Sequence, residues 1–137
     1  MKTAHFVAAA LLITVDLLTL RPAKAQQFGP DGIARTESQR HDLPEAGEQI
    51  IQVRVDFAPG ASFPYHTHPG IEVAYVLQGT VEYQFSGQAP ITLHAGDSLY
   101  IPEGTSHTAR NAGTGNAAEL ATYLVDKNRQ LVVKSGE

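Results

Sequence analysis

From Ile51 to Val133 the chain is a succession of short apolar stretches, each cut off by glycine, proline or asparagine. The clearest is the first, where Ile51, Val53, Val55 and Phe57 alternate with Gln52, Arg54 and Asp56. A period of two puts the apolar side chains on one face of a half-buried strand, with Arg54 on the other, and Ala58-Pro59-Gly60 stops it. Further strands are predicted at Phe63 to Thr67, Ile71 to Gln78, Val81 to Phe85, Ile91 to Leu93, Ser98 to Ile101, His107 to Arg110, Glu119 to Val125 and Gln130 to Val133. Between them lie Pro69-Gly70, Gln78-Gly79, Ser86-Gly87, Ala95-Gly96-Asp97, Pro102-Glu103-Gly104 and the segment Asn111 to Asn116. Nothing after residue 25 has a long helical period. An all-β sandwich or barrel follows, and a helical bundle is excluded.

The start of the chain reads differently. Lys2 precedes an apolar run from Phe6 to Leu20, broken by Asp16, and Arg21-Pro22 leads into Ala23-Lys24-Ala25. This is the layout of a secretory signal peptide over residues 1–25, cut after Ala25. The run is too short and too charged to cross a bilayer comfortably, so the expectation is an exported protein, periplasmic or secreted, with no stable membrane anchor. Loss of Lys2, Asp16, Arg21 and Lys24 with the leader leaves 7 basic and 13 acidic residues, a formal charge of −6. That balance argues against nucleic acid as a partner. With no cysteine in the chain there is no disulfide framework, and any metal must be held by imidazole and carboxylate. Residues 26–47 are polar and show no sustained period, which predicts an irregular N-terminal arm ahead of a single barrel domain at 48–137. His41 in that arm reads as a surface residue.

Four residues have the chemistry to hold one cation together. His66 and His68 are two apart on a predicted strand, so they share a face. Pro69-Gly70 then turns the chain and lets Glu72 re-enter from the next strand, while His107 follows a separate turn at Pro102-Glu103-Gly104. Three imidazoles and one carboxylate suit a divalent transition metal ion: iron, manganese, nickel, copper or zinc. Of the other histidines, His94 stands at a strand end and His5 in the leader; neither is a ligand candidate. Asp97 reads as a turn former. The five tyrosines read as barrel filling, with one or two free to line a pocket.

The spacing Gly60-x5-His66-x-His68-x3-Glu72-x6-Gly79 resembles the first signature of the cupin superfamily, and Gly96-x5-Pro102-x-Gly104-x2-His107-x3-Asn111 resembles the second. At roughly 5% usage per residue type, a chance match to all these positions is on the order of 10⁻¹³ per placement. The resemblance extends over about residues 48–134. The short spacer from Thr80 to Ala95 is similar to that of compact bacterial single-domain cupins of the quercetin-dioxygenase-like kind. It implies a jelly-roll (double-stranded β-helix) barrel and metal ligation by His66, His68, Glu72 and His107. It also implies a catalytic role for Glu72 as a base when it leaves the metal, and a homodimer. The signature glycines and Pro102 read as turn formers, and Asn111 as closing a turn with Gly113.

For function, the resemblance implies a metal-dependent, dioxygenase-like oxidoreductase acting on a small molecule in the barrel. Two alternatives use the same four residues: a non-catalytic exported protein that binds metal or a small ligand, and a metal-dependent sugar isomerase or lyase. Fold alone does not choose among them. The apolar positions Ile51 to Phe57 lean toward an apolar substrate or a filled core.

Overall fold

The protein's computed structural model describes residues 27–135, so the leader expected at 1–25 lies outside the described residues. Within them are ten strands: β1 (Ile33–Leu43), β2 (Glu48–Phe57), β3 (Ser62–Thr67), β4 (Gly70–Gln78), β5 (Thr80–Phe85), β6 (Ile91–His94), β7 (Ser98–Ile101), β8 (His107–Asn111), β9 (Ala117–Asp126) and β10 (Val133–Lys134). They form two five-stranded antiparallel sheets in the orders β1-β2-β9-β4-β7 and β10-β3-β8-β5-β6. No helix among the described residues is long and apolar enough to cross a membrane.

The alternation in β2 is realised as expected, with Ile51, Val53, Val55 and Phe57 all buried between the sheets. Arg54 faces the other way and clamps the buried Asp56 through bonds of 2.7 to 3.0 Å. From the rest of the two sheets, Val76, Val81, Phe85, Ile101 and Val125 complete the core. Ile51 and Val53 are core, while Val55 and Phe57 also line the cavity beside the candidate metal site.

One expectation is corrected. The arm expected at 26–47 is not irregular over its described part: β1 runs through Ile33–Leu43 and pairs along its length with β2, past a bulge between Glu37 and Gln39. The reason it showed no period is its position. As the edge strand of its sheet, β1 buries only Ile33 fully, and nearly all its remaining side chains are wet, so sequence had no apolar face to alternate.

The turns follow the glycines. Gly60, Gly79, Gly96 and Gly104 all have positive φ, between 69° and 99°, as the predicted strand reversals require. Asn111 closes the loop after β8 as expected, accepting a bond from the Gly113 amide at 2.9 Å. It does more than that. Its buried amide nitrogen faces the carbonyls of Phe57, Ala58 and Gly115 at 3.2, 3.1 and 2.7 Å, tying β8 to the end of β2. Replacing Asn111 by alanine is expected to cost about 2–4 kcal/mol, because several carbonyls lose their partner at once. Chemical denaturation of the variant checks this, and a loss below about 0.5 kcal/mol would show the loop to be held by its backbone alone.

Candidate metal centre

His66 on β3 stands directly opposite His107 on β8, and His68 lies one residue beyond the end of β3. Glu72 comes from β4 in the opposite sheet, where it pairs with Tyr123 of β9. The two sheets thus bring together all four residues that sequence singled out. Their ligand atoms lie within 4.8 Å of one another, and all four residues are buried. His41 and His94 stay outside and exposed. His94 and Asp97 serve a turn, with the His94 amide donating to the Asp97 carboxylate at 2.8 Å.

The protonation pattern of the imidazoles follows from their backbone partners. Nδ1 of His66 is 2.9 Å from the Pro64 carbonyl, Nδ1 of His68 is 2.7 Å from that of Leu131, and Nδ1 of His107 is 2.9 Å from that of Thr105. A carbonyl oxygen only accepts, so each Nδ1 carries the hydrogen and each neutral ring presents a bare Nε2 lone pair. This is the arrangement that outer-shell hydrogen bonds give to metal-binding histidines. Burial, and next the nearby His107, push His66 down to about 4, which keeps that ring neutral at pH 7.

The centre is polar without being self-sufficient. Oε2 of Glu72 is 2.9 Å from Nε2 of His68 and 3.5 Å from Nε2 of His107. Yet the buried Nε2 of His68 and Oε2 of Glu72 complete no hydrogen bond. Two lone pairs facing each other in a dry site repel, and a shared cation removes the conflict. Burial works to raise the Glu72 carboxyl, while hydrogen bonds and positive charge from His107 and His68, which those rings supply only with a proton on Nε2 as well, outweigh it and hold it below the usual carboxylate range. The residues present therefore fit a divalent cation.

Around the four donors lies a cavity of about 30 Å³ for the centres of water-sized molecules, lined also by Arg35, Phe63, Tyr83, Ala109, Glu119 and Tyr123. Sequence reasoning left Glu119 and Arg35 unnoticed and did not choose among the tyrosines. Glu119 did carry a signal: in β9 it falls on the same side as Ala117, Ala121, Tyr123 and Val125, a lone carboxylate on an otherwise buried face. Tyr83 donates its hydroxyl to the Glu119 carboxylate. Burial first, then the charge of Glu72, push the Glu119 carboxyl up to about 8.

Comparison with known proteins agrees with this picture. The Cupin domain family model matches residues 53–125. Germin-like protein 1-1 of Oryza sativa subsp. japonica is 37% identical over 79 residues, which is 54% of this chain and 37% of that protein. The chain thus spans well under half the length of such curated relatives. An oxalate oxidase structure superposes with a TM-score of 0.61 at 28% identity, covering 84% of this chain and 63% of the other. A cupin superfamily protein of Desulfitobacterium hafniense shares the fold, with a TM-score of 0.61 at 20% identity over 84% of this chain and all of the other. The first two are of the germin and oxalate oxidase kind, and none of the three bears on the resemblance to quercetin-dioxygenase-like cupins. Two signatures converging on one buried tetrad, inside a family match that takes in more than half of the chain, make this protein a member of the cupin superfamily.

Proposed function

We propose that the protein is a metal-dependent cupin oxidoreductase in which His66, His68, Glu72 and His107 hold one divalent transition metal ion. The observation that carries this is the set of three Nδ1 atoms tied to backbone carbonyls, which aims three Nε2 lone pairs at one carboxylate. When bound, such an ion supplies one or two open positions at which dioxygen or a substrate oxygen is polarised. The chain's own part is to line the site with the apolar Phe63, Phe57 and Val55, and to keep the imidazoles in fixed tautomers. Glu72 is the anionic donor of the four and stands where it would take a proton from a substrate beside it.

The likeness to an oxalate oxidase supports a small oxygen-rich substrate, and so does the size of the cavity. A water needs roughly 10–15 Å³ measured in the same way, so the space suits a molecule of a few heavy atoms. Arg35, Tyr83, Glu119 and Tyr123 give the inner wall the polar groups that a sugar isomerase would use, but a sugar ring is too large for it. An aromatic substrate is disfavoured by the same small size.

The test is metal analysis by plasma mass spectrometry, joined to oxygen uptake with oxalate, glycolate and an aromatic flavonol. Stoichiometric iron, manganese, nickel or copper with uptake on a small carboxylate is the expected result. Metal without turnover of any of these would favour the non-catalytic binding reading.

A further inference from the structure

A second group of polar side chains lines the same cavity, and the four metal donors leave it unused. Arg35, Val55, Glu119 and Val76 stand side by side across β1, β2, β9 and β4. Directly paired residues share a face, so Arg35 and Glu119 both belong to the inner side of this sheet. Glu72 and Tyr123 form another row of the same face, and the row between holds Ala74 opposite Ala121. On β4 and β9 only these two methyl groups stand between Glu72 and Glu119, with Val53 of β2 and Leu99 of β7 continuing the row to either side. From the facing sheet Tyr83 reaches across and fixes one oxygen of Glu119. Tyr83 and Glu119 are 1% and 4% exposed, so a carboxyl group sits inside the protein with a hydroxyl as its hydrogen-bond partner.

Arg35 is the odd one among the described arginines. Among the described residues Arg40, Arg54, Arg110 and Arg129 each grip a carboxylate, on Glu37, Asp56, Glu82 and Glu103 respectively. Arg35 forms no such pair; its guanidinium lies over the Phe63 ring, 4.1 Å from the centroid, at the rim of the cavity. A cation held by stacking keeps its hydrogen-bond donors free for an incoming anion.

We propose that Arg35, Glu119 and Tyr83 form a second, metal-free subsite that holds the carboxylate of a small substrate whose other end reaches the four metal donors. This rests on the reading of the tetrad given above and adds to it the residues that select the substrate. Arg35 supplies the counter-charge. Glu119, neutral and oriented by Tyr83, supplies a hydrogen bond to the bound carboxylate. Ionised, it would repel that carboxylate. The groups facing Glu119 are Arg35 from β1, Tyr83 from β5, Glu72 from β4 and Tyr123 from its own strand. Among these, Glu119 is the buried carboxyl that does not belong to the metal donors, and Tyr83 holds one of its oxygens.

The experiment is calorimetric titration of the metal-loaded full chain with glycolate and with glycolamide, which has the same skeleton without the charge. Arg35→Met should weaken glycolate about tenfold or more and leave glycolamide within about twofold, since a hydrogen bond to a charged group is lost in one case only. Wild-type affinity for glycolate should fall as pH rises from 5 to 9. Glu119→Gln stays neutral and should flatten that fall, whereas a pH dependence arising at the metal would persist in it. Equal loss of both ligands in Arg35→Met, or an unchanged pH profile in Glu119→Gln, overturns the subsite. Metal content is read in every sample, and the metal-free proteins are titrated in parallel. Wild-type protein that takes up no metal sinks the reading of the tetrad, while equal metal with unchanged glycolate affinity in the Arg35→Met variant sinks the subsite alone.

Discussion

Replacing His66 and His68 together by alanine is expected to abolish metal binding and, with it, every metal-dependent property of the protein. Two of four donors disappear, and both belong to the pair of rings whose Nδ1 atoms are fixed by Pro64 and Leu131. Loss of an outer-shell partner alone typically costs tenfold to a hundredfold in affinity. Loss of two donors must cost far more. The consequence for stability follows by mass action: metal at about a thousand times its dissociation constant stabilises the folded state by about 4 kcal/mol. For a domain of this size that is a rise on the order of 15 °C or more in Tm. Wild-type protein should show such a rise on adding metal and the double variant should show none. The metal-free double variant should still fold, because it has also lost the unpaired Nε2 of His68 that faces Oε2 of Glu72. Changing His41 and His94 to alanine is the control, since both are exposed and lie outside the tetrad. Equal metal content in the wild type and the double variant would mean that the cation sits elsewhere.

How much of this was legible in the sequence depends on where burial leaves a mark. β2 was plain because its inner face is buried along most of its length and its outer face is not, so a period of two is written into Ile51 to Phe57. The tetrad was plain for a different reason: imidazole and carboxylate at those intervals are rarely spent on an apolar core, and the flanking glycines mark the turns that bring the strands together. β1 was invisible because an edge strand with wet faces has no apolar pattern, though its pairing with β2 is extensive. That blindness extended to function. Arg35 matters through its place in a cross-strand row with Val55 and Glu119, and such rows exist only once register is known. Glu119 stood between those cases, since its parity within β9 was readable but its partner Tyr83, from the other sheet, was not.

Gly70→Ala is expected to be the most damaging single-methyl change in the described protein, and sequence had read Gly70 only as half of a Pro-Gly turn. It does not have positive φ, so left-handed backbone is not its reason for being glycine. The reason is proximity. A Cβ at this position would lie 2.1 Å from the Leu124 carbonyl oxygen, 2.7 Å from Cα of Val125 and 3.0 Å from the Leu124 carbonyl carbon. All three are backbone atoms of β9, which is pinned between β2 and β4 and has no side-chain rotamer to give way. Overpacking usually costs about 1–3 kcal/mol, and a clash with central backbone belongs at or above the top of that range. Set against a total stability of about 5–15 kcal/mol, this lowers Tm by roughly 12 °C or more. The site should suffer as well, because Gly70 sits midway between His68 and Glu72 and β4 must shift off β9 to accommodate the methyl group. Gly60→Ala separates the two possible causes. At Gly60 φ is +74° and nothing lies within 4 Å of the added Cβ, so only backbone handedness is at stake, at about 1–2 kcal/mol. Thermal unfolding of both variants without metal should therefore rank Gly70→Ala well below Gly60→Ala. The reverse order would mean that the approach of β4 to β9 is looser than the structure has it, and that the turn, not the crossing, holds Glu72 in place.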